Sequence, residues 1–128
     1  MKVLALDYGS ARTGIAVSDP TGTLARPVGV IERAATDDGL KRVAEVVRAE
    51  EAERVIVGLP LTLRGERGAQ AQETERFIEA LSRELEIPVE AFDERFTTTL
   101  AGPGGDDDSR AAAHLLASYL EWSKSRQP

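Results

Sequence analysis

The sequence predicts an α/β fold: a five-stranded mixed sheet with helices packed against it, in the order βββαβαβα. Three observations carry this. Two apolar runs, Lys2 to Asp7 and Thr13 to Ser18, are joined by a short glycine-containing turn. A short β-branched run, Arg54-Val55-Ile56-Val57-Gly58, stands between two segments with helical spacing, as a buried parallel strand does. The chain of 128 residues fits one domain with a proper core and leaves no room for two.

The elements follow in order. After the first two strands, Asp19-Pro20-Thr21-Gly22 signals a turn, with Pro setting φ and Gly closing the bend. Leu24 to Ile31 is a third extended segment, and Pro27 suits it to an edge. Thr36 reads as a helix N-cap, with Asp37 and Asp38 in the first turn. Leu40, Val43, Val46 and Val47 form the apolar stripe of that helix. A loop from Leu59 to Gly68 follows the fourth strand. Gln70 to Leu85 is a second helix, with Ala71, Thr74, Phe77, Ile78 and Leu81 on one face. Pro88 to Phe92 is the last strand. A loop from Thr97 to Asp107 with three glycines leads to a final helix from about Asp108 to Trp122, whose Ala112, Leu115, Leu116 and Tyr119 face inward.

Composition narrows the function classes. There is no cysteine, which rules out disulfides and thiolate zinc sites and fits a cytoplasmic location. The first residues do not resemble a signal peptide, and no apolar run is long enough to span a bilayer, so no membrane partner is expected. A net charge of -6 counts against a bulk electrostatic grip on nucleic acid but leaves room for a local basic patch. Arg12, Arg64, Arg67, Arg95 and Arg110 fall in loops or at element ends, whereas many of the acids lie on solvated helix faces.

One acid stands out. Asp7 ends an apolar strand that reads as sheet interior, where a carboxylate needs a partner. A bound cation or a metal-bound phosphate is the expected partner. Glu94 follows the last strand, and Asp106-Asp107-Asp108 opens the last helix. Functional groups of a parallel sheet gather at the carboxyl ends of its strands, which places Asp7 and Glu94 together. Hard oxygen ligands suit Mg²⁺ or Mn²⁺, and two such ions activate a water and stabilise the departing oxygen of an in-line displacement. Which of Asp106, Asp107 and Asp108 supplies the third ligand stays open, with Asp108 also a candidate N-cap. His114, the only histidine, is expected mainly on the helix surface.

Backbone and side-chain donors for a phosphate chain lie nearby. Gly9 permits close approach, with Ser10 and Arg12 beside it. Gly58 and Pro60 leave the fourth strand, and Arg95 and Thr97 follow the second acid. Such groups grip phosphates without reading sequence. Aromatic residues are scarce, so recognition of backbone shape is favoured over base stacking.

The ordered set Leu6-Asp7-Tyr8-Gly9, Val55-Ile56-Val57-Gly58-Leu59-Pro60, Asp93-Glu94-Arg95-Phe96-Thr97-Thr98 and Asp108-Ser109 resembles the YqgF family of RNase H-like nucleases, also called Holliday junction resolvases. The resemblance implies an RNase H-like sheet of order 3-2-1-4-5 and a divalent-metal nuclease acting on structured nucleic acid. It also implies that Asp7, Glu94 and Asp108 are the catalytic, metal-holding acids. It implies 5′-end processing of pre-16S rRNA, resolution of four-way DNA junctions, or both. In that strand order the first and last strands lie two positions apart, roughly 10 Å at ~4.8 Å per strand. Direct contact between Asp7 and Glu94 is therefore not expected. The chain departs from the family pattern in Leu100 to Asp107, which is short, glycine-rich and lacks lysine. That departure motivates an alternative, a non-catalytic nucleic-acid-binding or ribosome-assembly factor on the same fold. Symmetric cutting of a junction requires two sites, which suggests a homodimer.

Overall fold

The computed structural model describes residues 1–62, 64–96 and 108–125. Its elements are β1 (Val3–Asp7), β2 (Arg12–Ser18), β3 (Ala25–Glu32), α1 (Asp37–Ala49), β4 (Arg54–Leu59), α2 (Ala69–Glu84), β5 (Val89–Asp93), a 3-10 turn (Glu94–Phe96) and α3 (Asp108–Ser125). The strand order is β3-β2-β1-β4-β5, as expected for the RNase H-like sheet. β1 runs antiparallel to β2 and parallel to β4, and β5 runs parallel to β4. β3 is the edge strand that Pro27 suggested, and its register with β2 shifts at Ile15/Ala16.

Local chemistry fixes the connections. The Asp19 carboxylate accepts from the backbone N–H groups of Thr23 (2.7 Å) and Leu24 (2.9 Å), and Gly22 completes the turn with φ 72°. These bonds and the Thr21 hydroxyl hold the Asp19 carboxyl down at about 2. Thr36 caps α1, its hydroxyl accepting from Gly39 N at 3.0 Å.

Residue parity along the strands divides the core between two faces. Leu4 and Leu6 of β1, with Val55 and Val57 of β4, face α1 and α2, where they meet Leu40, Val43, Val47, Phe77 and Leu81. Tyr8 joins this layer and stacks on Phe77 with ring centroids 4.5 Å apart. The other face carries Val3 and Ala5 of β1, Ala16 of β2, Ile56 of β4 and Phe92 of β5. It is covered by Ala112, Leu115, Leu116, Tyr119 and Leu120 of α3. Phe92 meets Tyr119 and Trp122 edge-on at 5.5 and 5.6 Å. The predicted helix stripes are therefore real, with two shifts: Val46 and Ile78 are only partly buried, and Ala44 is buried in α1. None of the described helices is long and apolar enough to cross a membrane.

Candidate active site

The α3 face is also the face of Asp7. Val3, Ala5 and Asp7 are alternate residues of β1, so the carboxylate continues the row that packs under α3. Gly14 pairs with Asp7 across the β1–β2 ladder, and Gly58 follows the Leu6↔Val57 pair on the other side. The carboxylate at the end of β1 is thus flanked on both neighbouring strands by glycine.

Each glycine admits one of the other acids. A Cβ on Gly14 would lie 1.8 Å from the Asp108 carbonyl oxygen and 3.0 Å from Ser109 N. The first turn of α3 therefore rests directly on β2 beside Asp7. A Cβ on Gly58 would lie 2.6 Å from Glu94 Oε1, 3.1 Å from Glu94 Cγ and 3.1 Å from Leu115 Cδ2. Phe92, paired with Gly58, faces α3, and Glu94 is two residues further along the chain. The 3-10 turn that begins at Glu94 carries its side chain over Gly58 towards β1. Two strand spacings separate the backbones of Asp7 and Glu94, and the intervening Gly58 leaves room at this level for the Glu94 side chain.

The electrostatics record the convergence. Burial pushes the Asp7 carboxyl above its ordinary value, and the nearby Asp108 charge pushes it further. Burial likewise raises Glu94, followed by repulsion from Asp7 and then Asp93. Asp7 is thus electrostatically coupled to both other acids. Arg12 Nε lies 3.3 Å from Asp108 Oδ2 and offsets part of this charge from the first position of β2.

The other expected residues fall into different roles. Gly9 is demanded by its own turn, since a Cβ there would lie 2.5 Å from the Arg12 carbonyl oxygen. Its backbone exchanges long contacts of 3.4 Å with the buried Thr13 hydroxyl. Ser10 and Arg12 are exposed at the same corner. Gly58 is buried under Glu94 and leaves the space that this side chain occupies. Pro60 is half-buried at the start of a loop knitted around Thr62, whose hydroxyl accepts from Glu66 N at 3.0 Å. Arg95 is exposed and held by Asp93: its backbone N donates to Oδ1 at 2.9 Å, and Nη2 donates to Oδ2 at 2.6 Å. The guanidinium keeps the Asp93 carboxyl below its ordinary value. Sequence reasoning gave roles to neither Asp93 nor Gly14. The signal for Asp93 was its place two residues before an arginine, and for Gly14 its place opposite Asp7 in a hairpin. His114 is exposed on α3. Thr97, Asp106 and Asp107 lie outside the described residues.

The donor set suits a hard divalent cation. Every candidate ligand is a carboxylate oxygen, and burial with mutual repulsion creates a need for positive charge. Among the described residues no group of three acids forms a ready cage for an ion.

Comparison with known proteins bears on this geometry. A 43% identical protein of Chloroflexus aurantiacus, named "Putative pre-16S rRNA nuclease", aligns over 96% of this chain and 88% of its own. A protein of the same name from Nocardia farcinica is 46% identical over 92% of this chain and 76% of its own. In structure, RuvC of T. thermophilus, solved in complex with a Holliday junction substrate, superimposes with a TM-score of 0.66. That match covers 98% of this chain and 96% of RuvC at 17% identity, a likeness of fold. The family model described as RuvX, Holliday junction resolvase, matches residues 1–122, and the chain belongs to that family.

Proposed function

We propose that the chain is a single-domain, divalent-metal-dependent endonuclease that hydrolyses phosphodiester bonds in structured nucleic acid. The supporting observation is the coupling of Asp7 to both Asp108 and Glu94 in a half-buried position on one sheet face. The names of the relatives favour precursor 16S rRNA, and the family description favours the four-way DNA junction.

Asp7, Glu94 and Asp108 are the residues that would hold Mg²⁺ or Mn²⁺. Such ions supply a water acidified enough to attack phosphorus and positive charge at the departing oxygen. The chain does the rest. Asp7 stands at the centre of the site on the rigid end of β1. Glu94 reaches it over the bare backbone of Gly58, and Arg12 steadies Asp108. Partial burial lowers the local dielectric, so the carboxylates hold a cation more strongly than they would in water. Arg95, oriented by Asp93, offers a planar donor to a phosphate. Gly9, Ser10, Arg12 and Pro60 complete the backbone-gripping rim in this reading. The enzyme works in the cytoplasm, and junction resolution would use a homodimer that brings two such sites together.

The test is cleavage of a labelled four-way junction and of a precursor 16S rRNA fragment, side by side, in Mg²⁺ and in Mn²⁺. Cleavage of either by the wild type and its loss in Asp7→Asn supports the reading. Tight binding of both without cleavage under any divalent ion replaces it with the non-catalytic assembly factor.

A further inference from the structure

A pocket lies at the end of the sheet opposite the acids. Its volume is about 270 Å³, and its walls include Val3, Thr21, Arg54, Tyr119, Ser123 and Lys124. Val3 begins the strand that Asp7 ends, so the pocket and the acids are separated by about 13 Å of β1. Two cationic side chains, Arg54 and Lys124, and three hydroxyl-bearing ones, Thr21, Tyr119 and Ser123, line it, and no carboxylate does. That is an unexpected wall in a chain of net charge -6.

Arg54 is preorganised there. Its Nη1 donates to the Tyr119 hydroxyl at 3.0 Å, joining the start of β4 to α3. Its buried Nε meets Glu90 Oε1 at 3.5 Å as an ion-pair contact and has no hydrogen-bond partner. Among the described residues Nη2 carries no bond, and Lys124 makes no ion pair. Glu90 offsets part of the Arg54 charge, and the carboxyl end of α3 adds a partial negative charge of about one half. The Lys124 ammonium is left over on the positive side, in the same wall as an Arg54 Nη2 that has no acceptor among the described residues.

We propose that this pocket binds a phosphate monoester of mononucleotide size. The volume of about 270 Å³ is close to the ~300 Å³ at which small-molecule sites begin. Arg54 Nη2, Lys124 Nζ and the Ser123 hydroxyl are donors for a phosphate. The Val3 and Tyr119 side of the wall accommodates the less polar remainder. The ligand is either a free nucleotide or the 5′-phosphorylated end of a nucleic acid chain.

The test is titration of the full chain, followed by amide chemical shifts, with AMP, adenosine, inorganic phosphate and a short oligonucleotide with or without a 5′-phosphate. The expected result is saturable shifts at the pocket with AMP and phosphate and none with adenosine. Lys124→Ala, at an exposed position near the end of α3, weakens AMP binding about tenfold or more and leaves nuclease activity unchanged. The Asp7→Asn variant binds AMP as the wild type does, which separates this site from the acidic one. A response to the oligonucleotide only when it is phosphorylated assigns the ligand to a chain end. A response to AMP and phosphate but to neither oligonucleotide assigns it to a free nucleotide. Equal binding of AMP and adenosine, no saturation at ~10 mM AMP, or indifference to Lys124→Ala overturns the proposal.

Discussion

The carboxylate of Glu94 occupies the space that a side chain at position 58 would fill. Oε1 stands 2.6 Å from the position of a Gly58 Cβ, and Cγ stands 3.1 Å from it. Gly58→Ala therefore displaces the far end of a flexible side chain more than it disturbs the core. Stability is expected to fall by about 1 kcal/mol or less by urea denaturation, with Leu115 Cδ2 at 3.1 Å absorbing a small shift. Nuclease activity is expected to fall ~10–100-fold, because Glu94 is moved away from Asp7. Equal losses in stability and activity would show that Gly58 serves packing alone.

Gly14 presents a harder boundary. Its neighbour is the main chain of Asp108, 1.8 Å from where a Cβ would sit. Backbone cannot rotate aside as a carboxylate can. Gly14→Ala is expected to cost about 2–4 kcal/mol and to lower the melting temperature sharply in a calorimetric scan. A variant as stable as the wild type would mean that α3 does not rest on β2 here.

The folded protein holds the Asp7 proton to higher pH than the unfolded chain does, because burial and then Asp108 raise its pKa above 3.8. The stabilisation belongs to the protonated form. It is complete below the unfolded value of 3.8 and is lost as pH rises through the folded one. In the metal-free protein at pH 7, Asp7→Asn is therefore expected to melt higher than the wild type, and at pH 3 the two should coincide. The same substitution should lower nuclease activity at least ~100-fold. It should also remove the stabilisation that Mn²⁺ gives the wild type, about 2.7 kcal/mol when the ion is at 100 times its Kd. An Asn variant less stable than the wild type at pH 7 would contradict the burial argument.

Arg95 owes its direction to Asp93, which accepts from its backbone N and from the guanidinium. Asp93→Asn leaves Arg95 in place but loosens it. The pair is partly exposed, so stability should change by ~1 kcal/mol or less. The KM for a four-way junction or a precursor rRNA fragment is expected to rise up to about tenfold while kcat changes little. An unchanged KM would remove Arg95 from the phosphate-gripping rim.

Much of this was legible in the sequence because each element announces itself locally. Pro27 pointed to an edge strand, Thr36 to a cap, and Val55-Ile56-Val57 to a buried strand, and all three hold. Asp7 was visible as a candidate site residue because an acid after buried Leu4, Ala5 and Leu6 has no ordinary reason to be there. What could not be read was how Glu94 and the start of α3 are seated against the sheet beside β1. That depends on side chains that are missing, Gly14 and Gly58, and on a 3-10 turn after β5 that folds Glu94 back over the sheet. Both are tertiary facts, set by how strands align. The pairing of Arg95 with Asp93 was hidden for a related reason, since Asp93, Glu94 and Arg95 are consecutive and only the turn decides which acid meets the arginine.

The account rests on carboxylates from β1, the turn after β5 and the start of α3 meeting at one cation-holding point. The most direct measurement is anomalous diffraction from a crystal soaked in Mn²⁺. A peak within about 2.0–2.5 Å of carboxylate oxygens of Asp7 and of Glu94 or Asp108 is the predicted result. Mn²⁺ bound elsewhere, with Asp7 and Glu94 turned apart and no density between them, would contradict it.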